Sequence, residues 1–197
     1  MWEGIEVLRT LWSDGPASFT GEFHRFEGLD VQPKPARSPL PIWIASNPSG
    51  AAAGRDMGDG ARKALRRVGR VADGWMTHSL TPEAFAACWQ VIVERAAELG
   101  RDPDRLDNAF YLNVRIEQDR DTALAGAKRY LDAYYGADFA GERVRRWSAA
   151  GSAAEVVAEL AAWRGSGARH LALRLAGDDQ EEQFRRLTGD VLPRLEG

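Results

Sequence analysis

“GSAAEVVAELAAWRGSGARHLALRLA”, residues 151–176, puts a capped helix directly ahead of a short apolar strand. Ser152 stands at the N-cap and Glu155 three residues later completes a capping box. “SAAEVVAELAAWRGSG” therefore reads as a helix, and “ARHLALRLA” (168–176) as a strand. The same alternation recurs outward from this unit. “ARKALRRVGRV” (61–71) is helical and “ADGWM” (72–76) extended. “TPEAFAACWQVIVERAAELG” has Thr81 as N-cap, Pro82 at the first helical position and Gly100 as its stop. “AFYLNVRI” (109–116) is a further strand, and “RDTALAGAKRYLDAYYG” a helix ending at Gly136. “PIWIA” (41–45) opens the series, and “DDQEEQFRRLTGDVLPRLEG” closes it as a helix.

Four strands alternating with helices imply parallel pairing with helical crossovers. Their short, mostly apolar runs suit strands covered on both faces. Ahead of them, “MWEGIEVLRTLW” carries Trp2, Ile5, Leu8 and Trp12 at helical spacing. Residues 13–40 hold turn residues around two short runs, “SFTGEFHRF” and “LDVQPKP”, and read as a hairpin-like insertion. The expectation is one domain over 1–197: a helix (1–12), an insertion (13–40) and four βα units (41–197).

Composition narrows the function. The 197 residues are 44% apolar and 28% charged, with a net charge of −3 and the two signs mixed along the chain. This argues against a nucleic-acid surface or a polybasic membrane patch. The basic run Arg62–Arg67 has the spacing of a solvated helix face. No apolar stretch reaches the length of a membrane span. The first residues include Glu3 and Glu6 and lack a basic leader region, so a cytoplasmic location is expected. The lone cysteine, Cys88, lies on an apolar helix face and reads as core. Three scattered histidines suggest no metal centre. The nucleotide fingerprint G-x-G-x-x-G does not follow the first strand, which counts against a Rossmann domain. On pattern alone, half a (β/α)8 barrel and a small open sheet remain.

The ordered run of segments resembles the C-terminal half of the bacterial luciferase-like monooxygenases, flavin- and deazaflavin-dependent oxidoreductases built on a TIM barrel. The matching pieces are “EGIEVLRTLWSDGPASFTGEFHRFEGLDVQPKPARSPLPIWIAS”, “RRVGRVADGWMTH”, “ELGRDP”, “GSAAEVVAELAAWRGSGARHLALRL” and “VLPRL”. The resemblance implies an α/β fold, a partial (half) TIM barrel of four parallel βα units preceded by a helix and an insertion hairpin. The barrel's N-terminal half is expected to be missing. It implies FMN or a deazaflavin coenzyme and a small organic substrate. A non-catalytic half-barrel that binds a flavin-like ligand is the alternative. The open sheet has two unpaired edges and an apolar inner face, so a homodimer or larger homo-oligomer is expected.

In barrels of this type the C-terminal strand ends carry the site. Those ends hold Ser46, Asn47, Ser49 and Gly50; Thr77, His78 and Ser79; Asn113 and Arg115; and Gly177, Asp178 and Asp179. By resemblance, Ser46, Asn47, Ser49 and Gly50 contact the cofactor phosphate, although Asn-Pro also makes a plain turn. Gly74 either admits a ligand near the backbone or eases packing. His78 is a candidate polar or acid contact, or a surface histidine without a role. Arg174, between Leu173 and Leu175, is expected to form a structural ion pair, with an anion contact as the second reading.

Overall fold

The computed structural model describes residues 2–48 and 57–195. Helix α1 (Trp2–Leu11) leads into an antiparallel hairpin, β1 (Ala17–Thr20) and β2 (Arg25–Leu29). The Glu3 carboxylate accepts from the backbone N–H groups of Glu22, Phe23 and His24 and contacts the His24 ring, which closes the hairpin turn onto α1. His24 is thereby a structural residue.

The main sheet begins with β3 (Trp43–Ala45), followed by α2 (Asp59–Val71), β4 (Gly74–His78), α3 (Pro82–Glu98) and β5 (Asp107–Ile116). Then come α4 (Arg120–Tyr135), α5 (Gly141–Arg146), β6 (Ser148–Gly151), α6 (Ala153–Gly165), β7 (His170–Leu175) and α7 (Gln180–Arg186). All pairings in this sheet are parallel. The expected half-barrel alternation is present, with one addition: among the described residues the sheet has five strands, not four. “SAAG” is a strand in a stretch that lacks an apolar run.

The ten-residue β5 organises the sheet. In a parallel strand, alternate residues direct their backbone groups to opposite edges. The N–H groups of Asp107, Asn113 and Glu117 donate to Asp73, Trp147 and Gly151, whereas Val114 accepts from Ala176 on the other side. So β4 and β6 share one edge of β5 at successive levels, and β7 takes the opposite edge.

One face of this sheet carries the main core. Trp75 stacks on Phe85 at 5.3 Å, and Phe110 lies on Trp163 at 3.6 Å. Leu112, Val114, Leu160 and Cys88 fill the space around them. Burial pushes the Cys88 thiol up to about 11, as befits a core residue. The basic face of α2 is tied to α3 by a bidentate Arg66–Glu98 contact. Asp73 pins the junction between α1 and the sheet. Its carboxylate accepts from Ile42 N–H (2.9 Å) and Arg9 (3.0 Å). The other face carries Trp43, Met76, His78, Tyr111, Asn113 and Arg174. At its C-terminal end α4 and α5 build a second cluster around Phe139, Val144 and Trp147.

Candidate active site

At the C-terminal strand ends, four side chains interlock. The Asn47 Oδ1 accepts from the Thr77 hydroxyl (3.0 Å) and from the His78 backbone N–H (3.2 Å). Because a backbone N–H only donates, this fixes the amide orientation and turns Asn47 Nδ2 toward His78 Nε2 at 2.7 Å. His78 Nε2 must then accept, so the proton sits on Nδ1 and faces the Ser79 hydroxyl at 2.8 Å. Ser79 holds φ at +57°, a left-handed conformation uncommon outside glycine. Burial lowers the His78 pKa and the charge of Arg143 adds to that. His78 is thus held as a neutral imidazole whose Nε2 accepts, rather than as a ready proton donor. Its face stacks on Trp147 at 4.7 Å.

Trp147 was not among the expected site residues, and it is central. It is 4% exposed and stacks on Tyr135 (5.8 Å) as well as His78. Arg174, one strand further across, reaches into the same cluster. Its guanidinium carbon lies 4.7 Å from the Tyr134 ring and 5.3–5.7 Å from the rings of Tyr111, Tyr130, Tyr135 and Trp147. Among the described residues no carboxylate lies within salt-bridge distance of Arg174, so the expected ion pair is replaced by an aromatic cage. Guanidinium planes stack on such rings through cation–π attraction. The tyrosines at 130, 134 and 135 lie on α4 at helical spacing, which gave no hint of a partner some forty residues on.

The other expected positions divide. Ser46 follows β3, but its N–H donates to Met76 O and its carbonyl accepts from the Trp75 indole. Its backbone is part of the sheet. Ser49 and Gly50 lie outside the described residues. At Gly74 the structure shows the packing that was one of its two readings. This glycine is the first residue of β4, at the strand end remote from His78, and a Cβ there would meet the Trp43 ring at 2.3 Å. Gly74 makes room for a tryptophan. Asn113 is brought to the centre: its Oδ1 accepts from Arg174 Nε (2.9 Å) and its Nδ2 donates to Trp147 O (2.8 Å). Arg115 turns aside to Glu117 (2.6 Å) and Asp179 (3.4 Å), where Gly126 and Gly177 leave space for it. Asp178 and Gly177 line that same pocket, away from His78.

The profile of the luciferase-like monooxygenase family matches residues 1–170. The chain belongs to this family. An F420-dependent glucose-6-phosphate dehydrogenase from Nakamurella multipartita is 28% identical over 98% of this chain and 59% of its own length. The corresponding enzyme from Mycolicibacterium gilvum is 24% identical, again over 98% of this chain and 59% of its own. Among solved structures, an F420-dependent secondary alcohol dehydrogenase in complex with an F420–acetone adduct superposes with a TM-score of 0.79 at 18% identity. It covers 98% of this chain and 60% of its own. A coenzyme F420-dependent tetrahydromethanopterin reductase from Methanopyrus kandleri gives 0.69 at 20% identity, with 98% and 62% covered. The chain spans about three-fifths of the length of these relatives, so its fold is a partial barrel. No helix among the described residues is long and apolar enough to cross a membrane.

Proposed function

We propose that this chain forms the C-terminal half of a flavin-type oxidoreductase site that acts on a small organic substrate. The observation that carries this reading is the convergence of Asn47, His78, Tyr111, Trp147 and Arg174 at the C-terminal strand ends, where this architecture puts ligands. The deazaflavin F420 is the favoured cofactor over FMN, because the curated relatives above are named for it. When bound, the coenzyme supplies hydride transfer. The polar tail of β3, with Ser46, Asn47, Ser49 and Gly50, is assigned to its phosphate. The neutral His78, backed by Trp147, is assigned to its ring system. His78 held as a fixed acceptor and stacking surface suits orientation of a planar ring better than proton delivery.

A second copy of the chain is proposed to cover the open sheet face. A compact monomer of 21.7 kDa exposes about 9,200 Å². This chain exposes 11,196 Å², and the excess is of interface size. Trp43 is 37% exposed on that face.

Titration of the purified protein with F420 and with FMN tests the cofactor assignment. Saturable F420 binding, weakened in Asn47→Ala, is the expected result. Failure to bind either compound overturns the enzymatic reading for this chain. It would leave the non-catalytic half-barrel. Light scattering after size exclusion is expected to give a dimer or larger assembly, and a clean monomer overturns the assembly proposal.

A further inference from the structure

Buried polar groups in this sheet are satisfied almost everywhere. Asn108 donates to Gly167 O and accepts from Arg169 N–H. Gln183 accepts from Ile116 N–H and donates back to Ile116 O, as a strand would. The exceptions include a group of three within one neighbourhood: Trp147 Nε1, Ser148 Oγ and Arg174 Nη2 are buried and without a partner among the described residues. A buried donor left unpaired costs free energy comparable to a lost hydrogen bond.

Register places these three together. Ser148 pairs with Asn113 across β6–β5, and Asn113 pairs with Arg174 across β5–β7, so the three share one row on the open face. Trp147 precedes Ser148, and Asn113 touches both Arg174 and the Trp147 carbonyl. Ser148 is 2% exposed. The remaining Arg174 donors are engaged, Nε by Asn113 and Nη1 by the Tyr135 hydroxyl (3.2 Å). Arg143 also packs on Trp147 (5.9 Å) and, among the described residues, has no carboxylate within salt-bridge distance. The neighbourhood is therefore cationic, rich in unmet donors and walled by aromatic rings.

We infer that Arg174 Nη2, Ser148 Oγ and Trp147 Nε1 form a receptor for a carboxylate carried on a substrate with a flat apolar body. The guanidinium and the indole N–H can only donate and the hydroxyl can donate as well, so together they suit an acceptor-rich group. One half-buried cation balances one negative charge. A phosphate dianion would leave charge uncompensated among the rings, since Arg143 is exposed. The exposed rings of Tyr134 and Tyr135 offer the apolar body a stacking surface. As the substrate's anchor, this receptor rests on the oxidoreductase reading above. As a binding site, it stands on its own geometry.

Calorimetric titration with benzoate, the neutral isostere benzamide and phenyl phosphate tests it, without cofactor. Benzoate is expected to bind at least about tenfold more tightly than benzamide. Arg174→Gln is expected to lose that preference, Arg174→Lys to restore part of it, and Ser148→Ala to weaken benzoate by a few fold. Should Arg174→Gln fail to fold, as judged by near-UV circular dichroism, Ser148→Ala decides, since it removes one hydroxyl only. Equal binding of benzoate and benzamide, tighter binding of phenyl phosphate, or unchanged benzoate affinity in a folded Arg174→Gln or in Ser148→Ala each overturns the inference. Arg174-dependent benzoate binding without F420 or FMN binding would defeat the oxidoreductase reading and leave the receptor. The reverse pattern would defeat the receptor alone.

Discussion

The two faces of the sheet are built from the same strands and could hardly differ more in completion. On the helix side, Trp75, Phe110, Leu112 and Val114 are sealed beneath α3 and α6, and the polar intruders Thr77 and Asn108 have partners. On the open side, Trp43, Tyr134 and Tyr135 remain exposed, and three buried donors are unmet among the described residues. Alternation along a strand sends neighbours to opposite faces, so Phe110 and Tyr111 are adjacent in sequence yet belong to these two different surfaces. The difference teaches that the chain finishes the helix-side face by itself, whereas the other face is the one on which the proposed ligand and the proposed second copy would sit.

The sharpest way to break this contrast is Phe110→Ala. The ring lies 3.6 Å from Trp163 and 5.8 Å from Phe85 with no solvent access. Its truncation leaves a cavity that the surrounding aromatics cannot fill, at a cost of about 3–5 kcal/mol. A urea midpoint that barely moves would mean that the helix-side core is not the seat of stability.

Much of that helix-side core was legible in the sequence, because it follows local periodicity. The capping box at Ser152 and Glu155 and the Thr81 cap with Pro82 behind it are where the sequence suggests. What was illegible depends on contacts distant along the chain. Strand β6 exists because the long β5 extends past β4 and offers it an edge; “SAAG” itself carries no strand signal. The start of β4 is set by the Asp73 carboxylate on Ile42 N–H, which moves Gly74 to the far end from the site. The cage around Arg174 joins α4 to β7, and no motif announces it. Asn47 and His78, by contrast, were marked correctly as strand-end residues, although their mutual hydrogen bond was not foreseen.

Asn47 is the next place to press, since it joins the two faces. Its Oδ1 accepts from the Thr77 hydroxyl on the helix side, and its Nδ2 donates to His78 on the open side. Asn47→Ala leaves a buried hydroxyl without its acceptor and is expected to cost about 1–3 kcal/mol. It also removes the donor that favours neutral imidazole, so the His78 titration midpoint, followed by NMR, is expected to rise.

The two faces should also respond to pH in opposite senses. His78 has a folded pKa below its unfolded value of 6.5, through burial and then Arg143. Its contribution is fully present above about pH 6.5 and is lost as pH falls through the folded value. Glu159 on α6 is pushed up from 4.5 to about 7 by burial. Its contribution is present below 4.5 and is lost as pH rises through about 7. Glu159→Gln is therefore expected to stabilise the protein at pH 8 and to leave the acid-side loss intact. Arg143→Gln should soften the acid-side loss instead. Thermal midpoints across pH 5–8 separate the two, and identical profiles in both variants would contradict the assignment.

The smallest effect on the folded chain itself is expected at Met76, on the interior strand β4 of the open face and only partly buried. Met76→Glu removes little packing on a face that the chain leaves uncovered, so the monomer should lose no more than about 0.5 kcal/mol. The same charge sits where a second copy would have to bury it, and desolvating an unpaired carboxylate is costly. The expected result is an unchanged urea transition at low protein concentration together with a shift from dimer to monomer in sedimentation. A variant that unfolds would show that this face already carries core packing within one chain. A variant that stays fully dimeric would move the interface elsewhere and leave the open face to ligand alone.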